Sequence, residues 1–156
     1  MRLRLIAVGD RLPDWADSAA SDYAGRLPRE WRFELTVIPV APRGKNADIA
    51  RLKAAEGEKM LRAVPEGATV IAFDERGKQL STQEWADAAG RWQQDGQAVC
   101  LLIGGPDGLA PECLERAGQR WGLSTLTLPH ALARVLVLEQ LYRAWSLLTG
   151  HPYHRA

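Results

Sequence analysis

Short apolar runs recur along the chain, and between them lie stretches in which apolar positions return every three or four residues. Arg2–Gly9 alternates Arg with Leu before turning wholly apolar, and predicts a first strand. Trp15–Leu27 follows as a helix, with Asp14 expected as its N-cap and Pro28 as its stop. Phe33–Val40 alternates Phe, Leu and Val and predicts a second strand. Asn46–Val64 places Ile49, Leu52, Met60 and Leu61 on one helical face, with Asn46 expected as the cap. Thr69–Asp74 predicts a third strand, Thr82–Gln94 a third helix and Ala98–Gly104 a fourth strand. Pro111–Trp121 reads as a short helix with proline in its first turn, and Leu123–Pro129 as a last short strand. Strands alternating with helices predict an α/β fold: a mainly parallel sheet with helices on both faces.

The final helix, Ala131–Leu148, differs because apolar residues occupy nearly all of its sides. Only Glu139, Arg143 and Ser146 make a polar stripe, and Glu139 precedes Arg143 by the spacing that favours an ion pair. Such a helix is either a central core element or one that packs partly against a second copy of the chain, and the second reading is preferred.

Composition narrows the picture. A chain of 156 residues with 46% apolar content suits one domain with a substantial core. Twenty basic against nineteen acidic residues exclude a polycation that coats nucleic acid or an anionic membrane unspecifically, so RNA binding would need a local or assembled surface. Cys100 and Cys113 lack any CxxC or Cys/His ladder and read as reduced thiols. The opening residues lack the long apolar core of a signal peptide and no stretch approaches a membrane span, so a cytoplasmic protein is expected.

Three segments at predicted strand ends carry unusual chemistry: FDERGK (Phe73–Lys78), IGGPDG (Ile103–Gly108) and LSTLTLPH (Leu123–His130). In an open parallel sheet, ligands sit outside the carboxyl ends of the strands, so these segments are expected to line one pocket. The glycine cluster fits neither a P-loop nor a GxGxxG fingerprint, and a turn needing positive φ would also explain it. Three histidines, His130, His151 and His154, suggest a metal site only weakly, since Pro152 interrupts the pair; no metal is expected. Arg43 and Lys45 precede a helix N-terminus, where either a phosphate or solvent would satisfy them. Arg134 stands alone among apolar neighbours and could reach substrate or cofactor, while the six tryptophans read as core and interface residues.

Taken together, RGKNADI, DERGK, LLIGGPDGL and the long C-terminal run LTLPHALARVLVLEQLYRAWSLLTGHPYHR closely resemble the RlmH family of SPOUT-class methyltransferases, from the AVGDRLPDW start to the terminal YHR. The resemblance implies a fold with a C-terminal trefoil knot, an S-adenosyl-L-methionine cofactor, a homodimer and N3-methylation of a pseudouridine in 23S ribosomal RNA, with the assembled ribosome as the expected substrate. It also places the cofactor pocket on Phe73, Gly105 and the run Ser124, Thr125, Leu126, Thr127, Leu128 and Pro129, with Phe73 standing where leucine is common. Gly104 and Gly105 would then clear space for adenine and ribose, with Leu126 and Leu128 against the ring. N3 of pseudouridine carries a proton that must leave, so a base is expected. His130 is the candidate, against a helix cap or a structural histidine. Gly150 and Pro152 should end the last helix and project Tyr153, His154 and Arg155 outward, where an aromatic, an imidazole and a guanidinium suit an unpaired base and its phosphate. The alternative is a non-catalytic RNA-binding or ribosome-associated factor of the same fold.

Overall fold

The computed structural model describes residues 1–155. Its elements run β1 (Arg2–Val8), α1 (Asp14–Arg26), a 3-10 turn (Arg29–Trp31), β2 (Glu34–Ile38), α2 (Ile49–Arg62), β3 (Thr69–Gln79), α3 (Thr82–Asp95), β4 (Ala98–Ile103), α4 (Pro111–Arg116), β5 (Gln119–Gly122) and α5 (His130–Thr149). The strands form one sheet in the order β2-β1-β4-β3-β5, and each neighbouring pair is parallel. All carboxyl ends therefore emerge at one edge, β1, β4 and β3 side by side.

The period of two in the strands divides the core between the sheet's two faces. Leu3, Leu5 and Ala7 of β1 join Val99, Leu101 and Ile103 of β4 on the face covered by α1, α3 and α5. Ile6, Val8, Cys100 and Leu102 point the other way and pack with Met60 of α2 and Cys113 of α4. Both thiols are free and buried, and burial pushes that of Cys113 up to about 11, so it behaves as an inert apolar group. Trp31, Trp85, Trp92 and Trp121 are buried and Trp145 half-buried, but Trp15 is 58% exposed and departs from the expectation for the tryptophans.

Helix ends follow local chemistry. Asp48, rather than Asn46, caps α2 by accepting from the Arg51 amide at 3.2 Å. Pro13 occupies the N-cap position of α1, and Asp14 is its first helical residue, where a carboxylate suits the helix dipole. Ser81 and Glu84 close a reciprocal capping box on α3.

The largest departures lie around β5. Residues 119–121, expected at the end of a helix, form with Gly122 a strand paired with β3, and Leu123–Pro129, expected as a strand, is irregular. The third strand also runs beyond Asp74: its ladder with β5 is interrupted between Phe73 and Lys78 and resumes at Lys78 and Gln79. Gly77 permits this, because a Cβ there would lie 2.4 Å from the Trp121 carbonyl carbon. Helix α5 finds most of its cover within the chain, against α1 and α3, leaving Leu132, Val135 and Leu136 half-buried and Leu148 41% exposed. Ser146, expected on a polar stripe, is fully buried and donates to the Arg143 carbonyl at 2.7 Å. No helix among the described residues is long and apolar enough to cross a membrane.

Candidate active site

A cavity of about 910 Å³ opens beyond the carboxyl ends of β3 and β4 and the segment after β5. Phe73, Gly105, Ser124, Leu126, Thr127, Leu128, Pro129 and His130 all line it; Thr125 does not. The strand-end segments expected to share one pocket do so.

The glycine segment performs the second of the two tasks open to it, a turn that needs positive φ. Gly105 to Gly108 close a tight turn, the Gly108 amide donating to the Gly105 carbonyl at 3.1 Å, and Gly108 takes a φ of +80°. A Cβ on Gly104 would lie 2.4 Å from the Gly108 carbonyl carbon, and one on Gly105 would lie 2.9 Å from Val8 Cγ1. The missing side chains make room for the protein's own backbone and core, not for a ligand. Backbone groups of this turn still form the cavity wall.

The opposite character belongs to Leu123–Pro129. Ser124 Oγ accepts from the Leu126 amide at 2.9 Å, a local turn that uses up the hydroxyl. Leu126 is left 70% exposed on the cavity, the most exposed large apolar side chain among the described residues, and Leu128 is half-buried. Phe73 closes the floor, stacked on Trp85 at 5.7 Å and edge-on to Trp121 at 6.2 Å.

His130 is the first residue of α5, following the Pro129 cap, so it is not itself the N-cap. Burial, and secondarily the Arg134 charge, hold its imidazole below the usual histidine range, so it is neutral at neutral pH and able to accept a proton. Arg134 is 4% exposed; its Nη2 donates to the Gly9 carbonyl at 2.7 Å and its Nε has no partner among the described residues. Gly9, with φ of +123°, lets both groups approach, since a Cβ there would be 3.2 Å from the His130 ring and 3.5 Å from Arg134 Nη2.

Arg43 is not available to a phosphate. Its guanidinium grips Glu56 with both terminal nitrogens, at 2.6 and 3.1 Å, and donates through Nε to Asp107 of the glycine turn at 3.0 Å. Lys45 is exposed.

The tail also departs from expectation. Gly150 ends α5 in the left-handed conformation, but Tyr153 then folds back rather than projecting outward. Its hydroxyl donates to Glu139 Oε1 at 2.9 Å and lies 3.2 Å from the Tyr23 hydroxyl. Its ring packs on Tyr142 at 4.6 Å and under the Arg143 guanidinium at 4.8 Å. Glu139 and Arg143 pair at 2.6 Å. His154 is half-buried with Nδ1 unpartnered among the described residues, and Arg155 is exposed. Glu139 stands nine residues after His130 along α5, about 14 Å of rise. Tyr153, His154 and Arg155 do not line the cavity that holds His130.

Lys53 of α2 and Leu114 of α4 escaped the sequence reading as cavity residues, whereas Asp74, Glu75 and Arg76 line the cavity within the FDERGK segment expected there. Glu56 was missed as well, although an acid amid the apolar stripe that includes Met60 signals a buried partner. No group of three or more His, Cys, Asp or Glu side chains is placed to hold a metal among the described residues.

Comparison with known proteins agrees with this architecture. Residues 1–154 match the family described as "Predicted SPOUT methyltransferase". A relative named ribosomal RNA large subunit methyltransferase H, from Marinomonas sp. (strain MWYL1), is 52% identical over 155 residues, 99% of this chain and 100% of the relative. Among solved structures, a probable methyltransferase from Bordetella pertussis Tohama I aligns with a TM-score of 0.60 at 20% identity, over 92% of this chain and 93% of that one. A probable methylase family protein from Haemophilus influenzae Rd KW20 aligns with a TM-score of 0.57 at 16% identity, over 99% and 70%. These two carry the likeness of fold alone. The family match over nearly the whole chain and the full-length relative above half identity together make this chain a SPOUT methyltransferase of the RlmH family.

Proposed function

We propose that this chain methylates N3 of a pseudouridine in 23S ribosomal RNA, in the cytoplasm, with S-adenosyl-L-methionine bound in the cavity beyond β3, β4 and β5. The observation that carries the reading is the cavity itself: backbone of the glycine turn on one part of its wall, and Leu126 held open to solvent on another. An apolar side chain so exposed suits the face of an adenine ring, while backbone N–H and C=O groups suit its edge and the ribose. Gly105, Ser124, Leu126, Thr127, Leu128 and Pro129 would hold the nucleoside, with Phe73 below; Thr125, outside the lining, contributes through the segment's backbone.

Bound there, the sulfonium supplies an activated methyl group. The chain's own task is to place the uracil ring and take the N3 proton. His130 is the proton acceptor, since it lines the cavity and burial keeps it neutral. His130 takes the N3 proton, and the electron pair that this leaves on N3 would form the bond to the methyl group. The sulfonium would leave as the neutral thioether, keeping the carbon–sulfur electron pair.

Tyr153, His154 and Arg155 complete the site from a second copy of the chain. Their position away from their own cavity, and the half-buried apolar side chains along α5, support a homodimer with composite sites. We assign residues 1–156 to one domain and retain the C-terminal knot as part of this reading, on the strength of family membership. Calorimetry with S-adenosyl-L-methionine should give saturable heat, and methyl transfer should be compared on ribosomes, subunits and naked RNA. Absence of both cofactor binding and transfer would leave a non-catalytic RNA-binding factor.

A further inference from the structure

We propose that Arg43 is a positioning residue for the methyl donor: anchored on buried Glu56, it holds Asp107 and with it the Gly104–Gly108 turn in the shape that lines the cavity. The inference rests on the cavity being the donor site and concerns residues outside the nucleoside contacts assigned above.

Glu56 lies on α2 at 4% exposure, and both its oxygens are engaged. Oε2 accepts from Arg43 Nη1 at 2.6 Å and from the Ala41 amide at 3.0 Å, and Oε1 accepts from Arg43 Nη2 at 3.1 Å. Arg43 Nη1 also donates to the Ala41 carbonyl at 2.7 Å. A guanidinium is planar and rigid, so the fork on Glu56 fixes where Nε points. It points at Asp107 Oδ2, 3.0 Å away.

Asp107 lies inside the turn closed by the Gly108 amide, so gripping its carboxylate fixes the turn as a unit. The same helix backs the turn elsewhere. A Cβ on Gly105 would lie 4.0 Å from Glu56 Oε1, and one on Gly57 would lie 2.7 Å from Ala110 Cβ. The turn thus meets α2 at Gly105, the chain just beyond it meets α2 again at Ala110, and Arg43 ties down its tip.

Stability does not explain this arrangement. A buried ion pair is commonly replaced by apolar residues of similar volume at no loss, because desolvation offsets the attraction. A charged fork gives instead a fixed direction. The turn whose backbone must meet a ligand edge is the segment that needs one, since misplacement of a binding group by even an ångström is costly.

The variants are Arg43→Lys, Asp107→Ala, their combination and Asp107→Glu. Lysine keeps a cation beside Glu56 but cannot also reach Asp107 in the same geometry, so the buried carboxylate stays compensated while the turn is released. Calorimetry with S-adenosyl-L-methionine and steady-state transfer to ribosomes are the measurements. Arg43→Lys and Asp107→Ala should each weaken donor affinity roughly tenfold, raising KM for the donor while kcat at saturation stays within about twofold. The double variant should be no worse than either single, and Asp107→Glu should recover most of the affinity. Donor binding unchanged in Arg43→Lys, with the wild type binding normally, overturns the proposal alone. Multiplicative losses in the double variant also overturn it, since Arg43 and Asp107 would then act on the donor independently. A wild type that binds no S-adenosyl-L-methionine overturns the cavity assignment and this proposal with it.

Discussion

The Gly104–Gly108 turn and the Leu123–Pro129 segment line one cavity, yet the first is closed on its own backbone and the second leaves Leu126 open to solvent. In the first, position is set from outside, by Val8 beneath Gly105 and by the Arg43–Glu56 fork at its tip. In the second, it is set locally, by Ser124 Oγ on the Leu126 amide and by Pro129 at the start of α5. The contrast teaches that one wall of the site is part of the fold, whereas the other is presented for use. Substitutions in the first should cost stability and binding together; those in the second should separate them.

Gly104→Ala tests the rigid side most severely. Its Cβ meets backbone at 2.4 Å, so no side-chain motion relieves it. We expect a loss of roughly 3 kcal/mol, seen as a fall in Tm of about 6–12 °C, with donor affinity falling alongside. Gly105→Val should behave similarly because of Val8, contrary to the idea that its space belongs to a ligand. A normal Tm for Gly104→Ala would show that the turn rearranges freely, and the comparison would collapse.

Leu126→Ala sharpens the other side. At 70% exposure its loss should leave stability within about 0.5 kcal/mol. Donor affinity should nonetheless fall roughly tenfold, the worth of a leucine face desolvated by an adenine ring. Calorimetry and a thermal melt on the same sample check both halves, and unchanged affinity would return Leu126 to an idle surface position.

Tyr153→Phe extends the contrast to the tail, which the fold also holds. Removing the hydroxyl that donates to Glu139 should weaken tail docking by about 1 kcal/mol. Amide exchange should quicken over residues 151–155 and methyl transfer should drop, while donor affinity stays put. Unaltered exchange would show that ring packing on Tyr142 alone fixes the tail.

The smallest effect concerns His130, where the open segment enters α5. Its folded-state pKa is lowered, first by burial and then by Arg134, so the unfolded chain binds the proton more readily. The stabilisation is complete above the unfolded histidine value, near 6.5, and is lost as pH falls through the lower folded value. His130→Gln should flatten the acid side of the Tm–pH curve, and an equal slope in both proteins would dispose of the shift.

Much of the fold was legible because its cause is local. The period of two in a strand assigns the side chains of Arg2–Val8 and Ala98–Ile103 to alternate sheet faces, and apolar spacing along α2 and α3 picks out their buried faces. The motif run carried the family, and with it the segments that line the cavity. Residues 119–121 were not legible: they continue a helical pattern, and only pairing of Gln119, Arg120 and Trp121 with Ile71, Ala72 and Phe73 makes them a strand. Their strand character is a property of two segments nearly fifty residues apart, which propensity over a window cannot see.

By itself, then, the sequence determined the alternation of strands and helices, the two-faced core and the chemistry gathered at strand ends, because side-chain period and turn preference act over a few residues. The tertiary structure alone decided what each of those groups is free to do. It gave Arg43 to Glu56 and Asp107, spent the space beside Gly104 on the chain's own backbone, and folded Tyr153 onto Glu139. Ion pairs, steric clearance and docking depend on which distant residues meet, and that is fixed only when the whole chain has packed.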